Sequence, residues 1–289
     1  MTIKEWLFSL KKQYQNATEF SNLDLELILS HVLNAKDRSY LVLRENDELE
    51  ERQVELASAF ARRRFIDEEP LAYILSEKEF YGRKFYVDKR VLIPRPETEQ
   101  LIEITKKIAS ERNDRPTVLD VGTGSGAIAI TLKKELPELR IIASDLSEDA
   151  LIVARRNAKT LDANVEFIQS DLLKEIDMLP EIIVANLPYV DLTWDFVSKN
   201  LHFEPKGALF ADDSGLSVIK QLIIELTKRL SDNEKRNNCF LILELDPSQK
   251  TGIRNYVKGI SAKLPVSFVE QKFGSEFSYA LCFQITRRK

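Results

Sequence analysis

Three glycines, Gly122, Gly124 and Gly126, follow the apolar run Thr117-Val118-Leu119-Asp120-Val121 and precede Ala127-Ile128-Ala129-Ile130. A buried strand, a glycine turn and a helix start in that order form a cradle. Missing side chains let the backbone approach a ligand, and the free N–H groups of a helix beginning near Ser125 suit a phosphate or a carboxylate. The Gly-x-Gly-x-Gly spacing differs from the dinucleotide pattern Gly-x-Gly-x-x-Gly, although Ala127 fills the last position of that pattern. Either spacing describes a nucleotide-type cofactor site, with Asp120, Gly122, Thr123, Gly124, Ser125 and Gly126 as its first candidates. Asp145 closes the next strand-like run about twenty residues on, where a carboxylate accepts hydrogen bonds from both ribose hydroxyls of an adenosine. Asp171, followed by Leu172, ends the third run at the same edge; both acids also suit the role of helix N-cap.

The second constellation is Asn186-Leu187-Pro188-Tyr189, at the end of the apolar run Ile182-Ile183-Val184-Ala185. A side-chain amide oxygen and the Leu187 carbonyl are two acceptors, matched to the two hydrogens of a planar NH2 group. Pro188 biases Leu187 toward an extended backbone, and Tyr189 offers a ring to stack on a flat group. By itself this is an apolar strand ending in a proline turn; beside the glycine loop it becomes a substrate site.

These residues need a scaffold that brings strand ends together. From residue 117 onward strand and helix alternate, with strands near 117–122, 140–146, 165–171, 181–187 and 239–245. That order predicts an α/β fold with a parallel sheet, ligands binding where the strand order reverses. The runs 265–273 and 277–286, separated by Gly274-Ser275-Glu276, predict a terminal antiparallel hairpin. Upstream, residues 1–75 read as a small helical bundle: Thr2-x-x-Glu5 is a capping box, Ser21-x-x-Asp24 opens a second helix, and 47–64 forms a third. Residues 76–95 read as a β-hairpin linker around Gly82, and Pro96 suits a first helical turn in the catalytic segment 96–289.

The composition sets limits. Across 289 residues the net charge is −4, and residues 1–70 alone hold 10 basic and 14 acidic side chains. A protein that binds nucleic acid by neutralising many phosphates has the opposite balance, so no direct nucleic acid partner is expected. Arg62-Arg63-Arg64 and Arg287-Arg288-Lys289 read as a solvated helix face and a frayed tail. Without an apolar run of membrane length or a secretory leader, a cytoplasmic protein with no membrane partner is expected. Cys239 and Cys282 sit in apolar runs as small buried residues, and with only two histidines there is no metal-ligand spacing.

The glycine loop together with Asn-Leu-Pro-Tyr resembles the S-adenosylmethionine-dependent methyltransferases of planar nitrogens. The finer match is to the HemK/PrmC family, the N5-glutamine methyltransferases of peptide chain release factors. It is carried by Glu69-Pro70-Leu71-Ala72-Tyr73-Ile74, Phe80-Tyr81-Gly82, Val91-Leu92-Ile93-Pro94-Arg95-Pro96-Glu97-Thr98-Glu99, Phe203-Glu204-Pro205 to Phe210, and Asp213-Ser214-Gly215-Leu216. The resemblance implies a Rossmann-like sheet, S-adenosyl-L-methionine as cofactor and class-1 release factors as protein substrate. It also implies Asn186, Leu187, Pro188 and Tyr189 as catalytic residues, with Arg95, Glu204 and Pro205 beside them on the substrate. Leu187 stands where the family usually has proline, and Glu244-Leu245-Asp246 and Phe273 to Phe277 depart from its usual C-terminal motifs. Two other readings fit the four-residue corner: an adenine N6-methyltransferase acting on rRNA or DNA, and a non-catalytic cofactor-binding regulator.

Overall fold

The computed structural model describes residues 1–17, 19–191, 193–194, 199–233, 236–274 and 276–288. Ser275 of the expected hairpin turn and Lys289 of the basic tail lie outside the described residues. The chain divides into two compact units, Met1–Glu77 with Lys199–Phe203, and Lys78–Ser198 with Glu204–Lys289.

The first unit contains α1 (Ile3–Tyr14), α2 (Asn22–Val32), α3 (Ser39–Leu43), α4 (Glu51–Phe65) and α5 (Leu71–Leu75). Thr2 and Glu5 cap α1 reciprocally, and the Ser21 hydroxyl caps α2, as their spacing predicts. The apolar faces close on one core built from Trp6, Leu10, Ile28, Leu29, Ala57, Ala61 and Phe65. The Trp6 indole donates to Ser58 Oγ at 3.1 Å, which satisfies its buried N–H. The third long helix begins at Glu51 rather than Asp47. Thr2 bridges Glu48, and the Leu49 amide donates to the Met1 carbonyl at 2.9 Å, so this stretch is held extended.

The second unit opens with the hairpin β1 (Lys78–Phe80) and β2 (Arg83–Phe85). Its two-residue turn has positive φ at both Tyr81 (49°) and Gly82 (68°), the combination that matches the twist of a tight hairpin. Pro96–Thr98 forms a 3₁₀ turn with proline in its first positions, leading into α6 (Glu99–Ser110). Alternating elements follow: β3 (Val118–Val121), α7 (Ala127–Glu135), β4 (Ile141–Asp145), α8 (Glu148–Thr160), β5 (Glu166–Gln169) and β6 (Ile182–Ala185). After the short α9 (Lys206–Leu209) and α10 (Asp212–Gly215) come α11 (Ser217–Asp232), β7 (Asn238–Glu244), α12 (Lys250–Lys263), β8 (Val266–Gln271) and β9 (Ala280–Arg287).

The seven strands of the sheet run in the order β5-β4-β3-β6-β7-β9-β8. The first five are mutually parallel, and β9 pairs antiparallel with both β7 and β8. The C-terminal hairpin thus folds back so that its last strand joins the sheet first. Alternate residues enter opposite cores: Ile183 and Ala185 pack with α11 and α12, while Ile182 and Val184 pack with α6 and α7. Burial on both faces explains why these strands read as continuous apolar runs. Cys239 and Cys282 are free and buried, and burial pushes both thiols up to about 12. Among the described residues, no helix is long and apolar enough to cross a membrane, and no cluster of potential metal ligands occurs.

Candidate active site

Strand order reverses at β3, which has β4 on one side and β6 on the other, so a crevice forms beyond their C-terminal ends. A cavity of about 410 Å³ occupies that crevice. Its wall includes Gly122, Thr123, Gly124, Ser125, Asp145, Asp171, Leu172, Asn186, Leu187, Pro188 and Pro205. Residues chosen from five separate stretches of sequence therefore face one space.

The glycine loop is fixed from below. Gly122 and Thr123 donate their amides to the Ser144 carbonyl at 2.8 and 2.9 Å, tying the loop to the end of β4. Gly122, Gly124 and Gly126 all have positive φ (75°, 55° and 82°). A Cβ at Gly122 would stand 2.9 Å from Leu187 Cδ2, so the loop and the Asn-Leu-Pro corner fit together only without a side chain. Gly126 caps α7, which begins at Ala127, two residues later than its expected start near Ser125. Asp120 is fully buried and does not line the cavity. Its Oδ2 accepts from Thr123 Oγ1 at 2.6 Å and from the Ala129 amide at 3.2 Å, so it braces the loop. Burial pushes its carboxyl up to about 7, and among the described residues Oδ1 has no hydrogen-bond partner.

Asp145 ends β4 with its carboxylate on the cavity. Gly124 N–H reaches Oδ2 and Ser147 N–H reaches Oδ1, both at 2.9 Å, which aims the group and leaves further lone pairs for a ligand. Burial raises its pKa against these backbone hydrogen bonds. The N-cap of α8 is Ser147, so Asp145 is released from the capping role. Asp171 lies beyond the strand rather than ending it: β5 stops at Gln169, and Asp171 is half-buried and paired with Lys174. Leu172, at φ 52°, turns the chain in the left-handed region at the cavity wall.

On the opposite wall, Asn186 donates from Nδ2 to Thr98 Oγ1 at 3.0 Å. Tyr189 does not line the cavity, contrary to the expected stacking position. Its ring packs on the core cluster, and its hydroxyl donates to the buried Glu244 at 3.2 Å. The Tyr189 carbonyl accepts from Gln249 Nε2 at 2.7 Å, while the same nitrogen donates to Ser214 O at 2.9 Å. Gly215, at φ 77°, comes so close to that carbonyl that a Cβ would stand 2.0 Å from it. Arg95 and Glu204 also stay off the wall. They pair with each other, and Glu204 accepts from the Ile93 amide at 2.9 Å, fixing the segment that leads to Thr98.

Sequence reasoning missed Asn157, Leu146 and Arg90. Asn157 donates to the carbonyls of Ser125 and Tyr86 (2.8 and 2.9 Å) and accepts from the Tyr86 amide, joining the glycine loop to the segment after the hairpin. Its signal was a polar residue on the apolar face Leu151-Ala154-Ala158. Leu146 is an exposed leucine on the cavity wall beside Asp145, a placement suited to the flat apolar face of a ligand. Arg90 lines the wall and holds Asp88, whose carboxyl it lowers to about 2.

A parallel sheet closed by an antiparallel last strand, with a glycine cradle at its switch point, defines the class: a Rossmann-like S-adenosylmethionine-dependent methyltransferase. Residues 98–209 match the methyltransferase small domain, and residues 5–75 match the PrmC N-terminal domain. The release factor glutamine methyltransferase of Koribacter versatilis is 43% identical over 236 residues, 80% of this chain and 83% of that protein. That of Neisseria gonorrhoeae is 36% identical over 275 residues, 93% of this chain and 92% of its own. The chain belongs to the release factor glutamine methyltransferase family. Among solved structures, the hMettl16 catalytic domain bound to an RNA hairpin of MAT2A covers 99% of this chain and 92% of its own at TM-score 0.51 and 12% identity, a likeness of fold alone.

Proposed function

We propose that this protein transfers the methyl group of S-adenosylmethionine to the side-chain amide nitrogen (N5) of the glutamine in the Gly-Gly-Gln motif of class-1 release factors. The observation that carries the reading is one cavity with a glycine cradle and Asp145 on one wall and Asn186, Leu187 and Pro188 on the other. The cofactor fits these residues: a Cβ at Gly124 would stand in open space on the cavity wall, room that the glycine leaves for a ligand, and Asp145 presents aimed acceptors suited to ribose hydroxyls. When bound, the cofactor supplies an electrophilic methyl group on a sulfonium.

Everything else is asked of the chain. An amide nitrogen is a poor nucleophile because its lone pair is delocalised into the carbonyl, so orientation is the main task. Fixing two reactants in line removes on the order of 7–11 kcal/mol of barrier in favourable cases. Asn186 Oδ1 and the Leu187 carbonyl accept the two N–H groups of the glutamine and hold its nitrogen toward the methyl donor. As the N–C bond forms, the same acceptors stabilise the positive character of the nitrogen, which then gives up one proton to an acceptor or to water. No histidine base is needed.

We assign residues 1–75 to docking the release factor, 76–95 to linking and 96–289 to catalysis. The helical unit leaves Phe8, Val42 and Leu43 exposed, which supports a docking role, because a single glutamine offers too little surface for selectivity. Such a substrate places the reaction in the cytoplasm. The test is transfer of a labelled methyl group to a release factor with its Gly-Gly-Gln glutamine intact or replaced by alanine. Label that depends on that glutamine supports the reading. Label on rRNA or DNA instead would transfer the site to adenine, which offers the same two hydrogens.

A further inference from the structure

The segment before α6 and the end of β7 meet at Asn186, where Thr98 also reaches the cavity wall. Because Nδ2 of Asn186 donates to Thr98 Oγ1 at 3.0 Å, the amide is turned one way, with Oδ1 left as the acceptor. Thr98 is itself 4% exposed, and once its oxygen has accepted from Asn186 its own proton needs an acceptor. Glu244 stands at this point, close to both Thr98 and Asn186 and 1% exposed, with Oε1 accepting from the Tyr189 hydroxyl and Oε2, among the described residues, without a hydrogen bond of full geometry.

We propose that Thr98 and Glu244 are positioning residues that set the orientation of the Asn186 amide, so that Oδ1 rather than Nδ2 meets the NH2 group of the substrate. The proposal rests on the glutamine reading above. Were the amide reversed, a donor would face a donor and the nitrogen would lose one of its two acceptors. An ionised Glu244 accepts only, so the hydroxyls of Tyr189 and Thr98 both point toward it and the Thr98 lone pairs remain for Asn186. A protonated Glu244 must donate from one oxygen, which competes for those lone pairs. Burial pushes this carboxyl up to about 7, with the charge of Glu97 adding to the rise and the polar groups of Thr98, Tyr189 and Asn186 opposing it. The other charged neighbour acting on this group of residues is Arg95, which opposes the burial-driven rise at Tyr189.

The test compares T98V, T98S and E244Q in the full-length protein. T98V lowers kcat by about 30-fold, as expected when a buried polar group loses its partner, and leaves the release factor KM and cofactor Kd nearly unchanged. T98S restores most of kcat because it keeps the hydroxyl. For the wild type, kcat rises with pH through about 7 as Glu244 ionises; E244Q, which resembles the protonated state, is slow and lacks this rise. A second measurement needs no turnover. The side-chain amide resonance of Asn186, identified by its loss in N186A, shifts and exchanges faster in T98V and E244Q than in the wild type. A T98V enzyme with wild-type kcat, or an Asn186 resonance indifferent to both substitutions, overturns the proposal. Absence of methyl transfer by the wild type would instead count against the glutamine reading, and the resonance would still decide the positioning role.

Discussion

Gly122→Ala separates the two walls of the cavity by experiment. Gly122 has φ 75°, so any L residue there adopts the left-handed conformation, at a cost of about 1–2 kcal/mol. Gly124, at φ 55°, carries the same backbone cost, but a Cβ there meets nothing within 4 Å, whereas the Cβ at Gly122 stands 2.9 Å from Leu187 Cδ2. That contact is with the end of a flexible side chain, so the stability loss of G122A exceeds that of G124A only modestly, and both lower the melting temperature by a few degrees. Function is where they part. Leu187 is 5% exposed in a packed core, so its side chain yields space by repacking against its neighbours, which tilts the corner that carries the proposed Asn186 and Leu187 acceptors. At saturating cofactor and release factor, kcat of G122A falls about tenfold, a loss of roughly 1.4 kcal/mol in transition-state stabilisation. Truncating the neighbour tests the route: in an L187A background the Cβ has room, and G122A then costs little further in kcat. The assay is a double-mutant cycle on kcat, with denaturant unfolding of all four proteins. Additive effects of G122A and L187A on kcat would refute the steric coupling.

Two further expectations follow from the acids of the site and its core. Asp145→Asn replaces a charged acceptor with a neutral amide and raises the cofactor Kd by at least about tenfold, with kcat at saturating cofactor changed little; calorimetric titration showing an unchanged Kd would remove Asp145 from the ribose role. Asp120 and Glu244 both have carboxyls raised to about 7 in the folded state, from 3.8 and 4.5. Between those values the native protein binds more protons than the unfolded chain, so stability is greatest near the lower pKa and falls as pH rises toward 7, by up to about 1.4 kcal/mol per pH unit for each group. Urea unfolding at pH 5 and pH 8 shows that fall in the wild type and a shallower one in D120N. Equal slopes for the two proteins would mean that Asp120 is already ionised at pH 5.

What was legible in the sequence is what chemistry writes locally. The alternation of buried strands, the glycines with positive φ at 122, 124 and 126, and the Tyr81-Gly82 turn are each set by neighbours within a few residues, and the fold places them as their types require. The ligand-facing residues were legible for a related reason: few side chains accept from a ribose or from an NH2 group, so Asp145 and Asn186 stand out. The residues that brace them were not. Thr98 and Asn186 are 88 positions apart, and Asn157 and Tyr86 are 71 apart, so nothing in either neighbourhood announces the partner. Arg95 and Glu204 were placed on the substrate by resemblance and Tyr189 by the stacking its ring offers, and the structure sets all three off the cavity wall, where an ion pair and a buried hydroxyl hold the wall in position. A motif therefore contains two kinds of residue with different physical constraints. Ligand-facing positions answer to the chemistry of the bound group; supporting positions answer to hydrogen-bond closure in a buried site, which leaves little freedom once one partner is fixed. Leu187 illustrates the consequence: in the proposed mechanism its backbone carbonyl is the acceptor, so a side chain differing from the family's usual proline is compatible with the same chemistry as long as Gly122 leaves it room.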